Sequence, residues 1–252
     1  MSLKREIEIF DSIRISPESG ETDIWDRVIF PKTIRSREIE LILKLAGKVS
    51  PGRILDFGCG SGWVSRVLDS NGYRVTGIDT SSSLIKSASG SASDKSQFTI
   101  GDCTNLPFGD GSFDMVVGMA ILHHLNPERG LAECHRVLSP GGSLLLMEPN
   151  KYNPLAAMAR KVMPVDTQTP DEEPFAPGKL KRSLNQRQWS LVQFGYLFPY
   201  SFGVSQLLRK TKMDWPIWKP ACSLIKFSER VFEKIPLFDR LCWVIVVEAR
   251  KI

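Results

Sequence analysis

Residues 54–63 read ILDFGCGSGW, an apolar run that ends in an acid and is followed by three glycines on alternate positions. Because glycine has no Cβ atom, such a loop can turn tightly and bring its backbone N–H groups close to a ligand. A helical pattern of apolar residues begins at Trp63, and a helix N-terminus adds a partial positive charge. The stretch therefore predicts a buried strand, a ligand-binding loop and a helix.

The spacing of Gly58, Gly60 and Gly62 leaves two classes of ligand open. The loop could hold a phosphate at the start of the helix, or a ligand without phosphate that needs close backbone contact. A dinucleotide fingerprint would place its third glycine at position 63, which is Trp63 in this chain. The bulky indole argues against a pyrophosphate packed at the helix start.

Strands and helices alternate along the first 150 residues. Strands are predicted at 53–57, 74–78, 97–100, 113–117 and 143–147, with helices at 63–68, 81–92 and 127–138. This alternation is typical of a doubly wound α/β fold with a mostly parallel sheet. We also predict helices at 34–45, at 185–194 and within 204–235, and strands at 196–202 and 241–249.

Two acids follow successive strands of the predicted sheet. Asp79 ends the second strand, 21 residues after Gly58, where a carboxylate can accept hydrogen bonds from both ribose hydroxyls. Asp102 follows the third strand, where it can accept a hydrogen bond from an adenine amino group. Each acid taken alone is better explained as a residue that forms a turn. Together with the glycine loop, they indicate a nucleoside site at one edge of the sheet.

Four segments of the chain resemble the motifs of a known family: ILDFGCGSGWVSRVL, VTGIDTS, GDCTNLPFGDGSFDMVVGMAILHHL and RVLSPGGSLLLMEPN. In order and spacing they are similar to class I S-adenosylmethionine-dependent methyltransferases of the type-11-like group, in particular the ubiquinone and menaquinone branch. The resemblance covers about residues 50–150. It implies a seven-stranded, mostly parallel sheet with an antiparallel C-terminal hairpin, which here would be 196–202 with 241–249, and helical lid insertions.

The resemblance also implies a division of the chain and a set of cofactor contacts. Residues 1–48 would form a helical cap, 49–150 the S-adenosylmethionine-binding core, and 151–252 the rest of the sheet with an acceptor-binding lid, all in one domain. The implied cofactor contacts are Asp56 and the loop of Gly58, Gly60 and Gly62 with the methionine part, Asp79 with the ribose, Thr80 alongside the adenosine, Asp102 and the Cys103 N–H with the adenine, and the Met119 carbonyl with the ammonium group.

Methyl transfer from a sulfonium is an in-line displacement, in which positioning the donor against the acceptor supplies much of the rate. A general base is needed only where the acceptor must lose a proton. The candidate catalytic residues are His123, His124 and Glu148, although each is also consistent with a structural hydrogen bond. We predict no metal site here, because adjacent histidines point apart.

The C-terminal part of the chain differs in character from the rest. Residues 151–252 contain 17 basic and 9 acidic residues, a net charge of +8, and 14 of the 23 aromatic residues. This composition suits a lid over an acceptor with an apolar body and an anionic group, or a helix that rests on an anionic membrane surface. It is equally consistent with aromatic residues that form the core of the lid.

Three alternatives remain open at this point. An RNA-directed methyltransferase would explain the basic region, although we find no recognised RNA-binding module. A nicotinamide-dependent oxidoreductase is disfavoured by Trp63 and the Asp102 loop, and a non-enzymatic protein could keep the cofactor pocket without turnover. Five scattered cysteines and no signal-like N-terminal run indicate a cytoplasmic protein, with a possible peripheral contact at the inner membrane face.

Overall fold

The computed structural model describes residues 31–49, 52–90, 93–154, 156–158, 174–185, 189–197, 219–232, 235 and 241–252. Several sequence predictions fall elsewhere: the end of the strand predicted at 196–202, the helical pattern within 204–218, and a group of candidate lid residues. Those lid residues outside the described ranges are Arg187, Phe198, Tyr200, Phe202, Arg209, Lys210, Lys212, Trp215, Trp218 and Phe238.

A seven-stranded sheet organises the protein, with the strand order β3-β2-β1-β4-β5-β7-β6. Strands β1 to β5 are parallel, and β7 runs antiparallel between β5 and β6. The mostly parallel sheet with an antiparallel C-terminal hairpin is confirmed. The strands are β1 Arg53–Phe57, β2 Arg74–Asp79, β3 Ser96–Ile100, β4 Phe113–Met119, β5 Leu138–Pro149, β6 Trp189–Leu197 and β7 Val244–Lys251.

Helices lie between the strands, and the start of one of them is marked by a capping residue and a proline. Asn126 caps one of them, since its side chain accepts hydrogen bonds from the N–H groups of Glu128 and Arg129, and Pro127 occupies the first helical position. The described helices are α1 Pro31–Ala46, α2 Trp63–Ser70, α3 Ser82–Gly90, α4 Pro127–Val137, α5 Pro177–Asn185 and α6 Lys219–Phe232, with a 3-10 turn at Leu122–His124.

The central strands are covered on both faces, as parallel strands require. On one face Leu55 and Phe57 pack with residues of α4 and α5. On the other face Ile54 packs with Val64 and with residues of α1. Because β1 to β4 are parallel, their carboxyl ends lie at one edge of the sheet, and loops that follow those strands can form a site there.

The C-terminal hairpin uses different residues from those predicted. The helix predicted at 185–194 is wrong, because α5 ends at Asn185 and residues 189–197 form β6. The strand predicted at 196–202 starts earlier, at Trp189, and residues 198–202 lie outside the described part of the chain. The register pairs Trp189 with Lys251 and Leu197 with Val244. The helix-like spacing of the apolar residues is overridden by this pairing, which places aromatic and β-branched residues on a pleated surface that suits them.

Candidate functional site

The loop of three glycines has the backbone that only glycine adopts readily. Gly58, Gly60 and Gly62 have φ angles of 71°, 52° and 80°, in the left-handed region that other residues avoid. A Cβ atom on Gly58 would lie 2.3 Å from a side-chain carbon of Ile121, whereas one on Gly60 would meet nothing within 4 Å. The loop thus packs tightly against the protein at Gly58 and is open at Gly60.

Asp56 lies in β1, two residues before this loop. Its side chain is buried, and Oδ2 accepts hydrogen bonds from the N–H and the hydroxyl of Ser65, at 3.0 and 2.6 Å. Burial raises the pKa of Asp56 to about 7, although the hydrogen bonds from Ser65 act in the opposite direction. The observed contacts of Asp56 therefore tie the end of β1 to α2.

The raised pKa of Asp56 predicts how stability depends on pH. Between the unfolded value of 3.8 and about 7, the folded state holds a proton that the unfolded state has released. Stability from this group is therefore lost as the pH rises through that window. We expect Asp56→Asn to reduce this loss by at least about 1 kcal/mol, measured by urea unfolding at pH 4.5 and 7.5.

Asp94→Asn at an exposed position is the matched control for this experiment. It should follow the pH dependence of the unsubstituted protein. Identical pH dependence in Asp56→Asn and the unsubstituted protein would show that Asp56 is ionised in both the folded and unfolded states over this range.

Asp79 connects the second strand to the glycine loop. Its Oδ2 accepts a hydrogen bond from the N–H of Gly60 at 2.9 Å, and its Oδ1 accepts one from the N–H of Ser81 at 2.9 Å. Burial raises the pKa of Asp79, while these N–H groups and that of Thr80 lower it. A carboxylate held by backbone donors at a strand end is a fixed acceptor for hydroxyl groups.

The loop after β3 continues the same edge. The N–H of Gly101 donates to the carbonyl of Asp79 at 2.9 Å. Asp102 accepts hydrogen bonds from the N–H and hydroxyl of Thr104, both at Oδ1, so its Oδ2 has no partner among the described residues. Cys103 is buried beside the N–H of Gly58, and burial raises the pKa of its thiol, so the thiol stays protonated.

Glu148 is the centre of the turn that follows β4. This buried carboxylate accepts hydrogen bonds at Oε1 from the N–H groups of Ile121 and Leu122, at 3.2 and 2.8 Å. Its Oε2 lies 2.6 Å from Nδ1 of His123, whose side chain is only 3% exposed. Because an ionised carboxylate only accepts, the ring donates from Nδ1. Glu148 and His123 form a buried pair that shapes the turn.

The turn held by Glu148 is strained. Ala120 has a φ of 53°, in the region that disfavours residues with a Cβ atom, and its N–H donates to the carbonyl of Met147 at 2.7 Å. Met119 ends β4 immediately before it. Strain at a strand end is common at functional sites. Sequence analysis missed Ala120 and Ile121, because no residue type or spacing signals a strained alanine.

His124 differs from His123 in its surroundings. The two imidazole rings have centroids 4.1 Å apart and are tilted by 38°, and the charge of His124 acts on Asp79 to lower its pKa. His124 therefore lies within electrostatic range of Asp79. Of the three predicted catalytic residues, His123 and Glu148 are joined to each other, and His124 is beside them near the predicted cofactor residues.

Four contacts bring the loops of this edge together. Gly58 packs on Ile121 and lies beside Cys103, Gly60 binds Asp79, and the backbone of Asp79 binds that of Gly101. The loops after β1, β2, β3 and β4 therefore converge around the open space at Gly60. Among the described residues, no group of three or more His, Cys, Asp or Glu side chains is placed to hold a metal ion.

Comparisons with known proteins point to the same region of the chain. Residues 55–146 match a family model described as a methyltransferase domain. Over 151 residues the chain is 33% identical to a demethylmenaquinone methyltransferase of Thermotoga maritima, and the match covers 58% of this chain and 62% of that protein. The chain thus spans less than two thirds of the length of this relative.

Two crystal structures share the fold over most of the chain. The 4+2 cyclase SpnF is 24% identical, with a TM-score of 0.60, over 85% of this chain and 80% of the cyclase. The geranyl diphosphate C-methyltransferase of Streptomyces coelicolor A3(2) is 14% identical, with a TM-score of 0.65, over 86% of this chain and 81% of that protein. At such identities the likeness concerns the fold alone.

Proposed function

We propose that this chain, whose residues 55–146 form a methyltransferase domain, is an enzyme that transfers the methyl group of S-adenosylmethionine to a small, partly apolar acceptor. The observation that carries the proposal is the convergence of four loops around the open space at Gly60. When bound, S-adenosylmethionine supplies an electrophilic methyl group on its sulfonium. The protein then has to hold the two reactants in line and exclude water.

The residues at this edge fit the parts of that cofactor. Asp79 is a fixed, partly buried acceptor for ribose hydroxyls, and Oδ2 of Asp102 is available for an adenine amino group. The N–H of Cys103 and the side of Thr80 complete the adenosine site. The backbone of Gly58, Gly60 and Gly62 and the carbonyl of Met119 hold the methionine part. Asp56 supports this loop through Ser65.

The candidate catalytic residues take two different roles. Both oxygens of Glu148 are occupied by the donors of Ile121, Leu122 and His123, so we assign Glu148 and His123 to positioning the turn. His124 is the candidate general base, because its ring lies beside that of His123 in the turn after β4, with the ring centroids 4.1 Å apart. It acts only where the acceptor has to lose a proton, as a hydroxyl group does.

The acceptor is a lipid-like or quinone-like small molecule. Support comes from the aromatic-rich C-terminal part of the chain and from the relative in Thermotoga maritima, which is named for its action on demethylmenaquinone. The protein works in a reducing cytosol, which the buried free thiols of Cys59, Cys103, Cys134 and Cys242 support.

A calorimetric titration with S-adenosylhomocysteine and, separately, with NADH tests the class of enzyme. We expect saturable binding of S-adenosylhomocysteine and none of NADH. Binding of NADH alone would favour a nicotinamide-dependent oxidoreductase. An RNA-directed enzyme would also bind S-adenosylhomocysteine, but it would in addition bind RNA with an affinity that falls steeply with salt.

Gly60→Ala tests whether the cofactor occupies the open side of the loop. A Cβ atom there meets no protein atom, so the folded protein loses only about 1 kcal/mol from the left-handed backbone. A cofactor packed against the loop would meet that methyl group, and such overpacking costs about 1–3 kcal/mol. We expect the affinity for S-adenosylhomocysteine to fall about ten- to a hundredfold, measured by titration calorimetry.

Gly72→Ala is the matched control, because Gly72 also has a positive φ, of 91°, and open space around it. It lies after α2, between that helix and the start of β2. It should lose similar stability and keep full affinity. Equal affinities of the two variants would mean that the cofactor does not approach Gly60.

A further inference from the structure

Helix α6 carries a row of apolar side chains on its outer surface. Leu224, Phe227 and Val231 are 70%, 67% and 47% exposed, and their spacing of three and four residues places them on one face of the helix. Ile235, just beyond the helix, is also exposed, and its N–H still donates to the carbonyl of Phe232. We call Leu224, Phe227 and Val231 the α6 stripe.

Two other residues attach the helix to the protein, so the exposure of the stripe does not come from a detached segment. Glu229 is completely buried. The guanidinium of Arg230 lies 2.8 Å from a carboxylate oxygen of Glu40 in α1. One side of α6 is therefore held against the protein while the α6 stripe faces away. Three large apolar side chains in an exposed row are unusual for a surface without a partner.

The composition of α6 favours one kind of partner. Helix α6 contains three basic residues, Lys219, Lys226 and Arg230, and one acid, Glu229, which is buried. Residues 151–252 as a whole have a net charge of +8. Helices that lie in the interface of a membrane typically combine basic residues with apolar residues on one face. Anionic lipids attract such basic segments electrostatically.

The position of α6 in the chain connects this surface to the candidate site. The helix precedes β7, whose first residue, Val244, pairs with Pro149 beside Glu148 at the carboxyl edge of the sheet. The next strand in the chain after α6 therefore starts at the edge where the loops converge. An enzyme docked through α6 would take up an acceptor with an apolar body from the lipid itself.

We propose that the α6 stripe docks on an anionic lipid surface and brings the candidate site to a membrane-held acceptor. The delivery of an acceptor rests on the proposed function, whereas the membrane contact itself rests only on the exposed face of α6. Among the described residues, no helix is long and apolar enough to cross a membrane. The contact would be made by the outer face of α6, with apolar burial and electrostatic attraction acting together.

Flotation of the full chain with vesicles tests the contact. We expect the protein to float with vesicles of phosphatidylglycerol and phosphatidylcholine, less with phosphatidylcholine alone, and less at high salt. The triple variant Leu224→Ser, Phe227→Ser, Val231→Ser should bind anionic vesicles at least about tenfold more weakly. Val192→Ser is the matched control, because Val192 is an exposed apolar residue of β6, 48% exposed, and it should float like the unsubstituted protein.

Three results would overturn the inference. They are no flotation of the unsubstituted protein, unchanged flotation of the triple variant, and equal binding to phosphatidylcholine alone. A dimer in light scattering that the triple variant converts to a monomer, without vesicle binding, would show instead that the stripe joins two copies of the chain.

Calorimetry with S-adenosylhomocysteine separates this inference from the proposed function. The triple variant should keep the affinity of the unsubstituted protein, because its substitutions lie on the outer face of α6. Normal S-adenosylhomocysteine binding without flotation would reject only the membrane contact. Flotation without S-adenosylhomocysteine binding would reject the proposed function.

Discussion

Replacing Glu148 with alanine is expected to lower the free energy of unfolding by at least about 3 kcal/mol. The substitution leaves the N–H groups of Ile121 and Leu122 and the ring of His123 without their acceptor, and each buried unpaired donor costs about 1–3 kcal/mol. The strained backbone at Ala120 would also lose its support. Thermal unfolding should show a midpoint lower by roughly 6–12 °C for a chain of this size.

Glu148→Gln is the matched variant for this prediction. The glutamine carbonyl can still accept from Ile121 and Leu122, but its NH₂ group faces Nδ1 of His123, so the ring must accept there and carry its proton on Nε2. Most of the stability should return. A Glu148→Ala protein as stable as the Gln variant would mean that the hydrogen bonds of Glu148 do not hold the turn.

Asp79→Ala is expected to weaken S-adenosylhomocysteine binding by about a hundredfold or more. Asp79 accepts hydrogen bonds from Gly60 and Ser81, and in the proposed complex it also accepts from the ribose. Truncating one partner of a buried, charged hydrogen-bonded pair costs about 2–5 kcal/mol of binding free energy. Titration calorimetry measures the change, with the folded fraction checked by circular dichroism.

Asp69→Ala is the control for the Asp79 variant. Asp69 also accepts hydrogen bonds from a backbone N–H and a hydroxyl, both of Ser93, but it lies near the C-terminal end of α2, seven positions after Gly62. Its loss should leave S-adenosylhomocysteine affinity unchanged. Equal affinity in Asp79→Ala and Asp69→Ala would remove Asp79 from the cofactor site and contradict the proposed arrangement.

Local patterns explain why the first half of the fold could be predicted. The buried strand and helix around the glycine loop were predicted at 53–57 and from 63, and they occur as Arg53–Phe57 and Trp63–Ser70. Both depend on side-chain periodicity, and the end of the helix also depends on Gly72, which follows it. These signals act within a few residues. The parallel order then follows from the alternation of strands and helices.

The C-terminal hairpin shows where local patterns fail. Residues 189–197 have an apolar spacing that also suits a helix, and only pairing with Val244–Lys251, about fifty residues later, makes them a strand. The register of the pairing between β6 and β7 shifts between Leu191 and Gln193. Where local propensity favours neither a helix nor a strand, the neighbouring strand determines the structure, because its packing and its backbone hydrogen bonds contribute more than the propensity does.

The amino-acid sequence by itself determined which polar groups lie at the carboxyl edge of the sheet: a glycine loop and acids at the ends of successive strands. It could not determine what those groups touch. Asp56 binds Ser65, Asp79 binds Gly60, and Glu148 binds a turn 25 to 27 residues away. These partners are set by the tertiary structure, because a buried carboxylate must find donors wherever the fold places them, and no spacing in the chain specifies that choice.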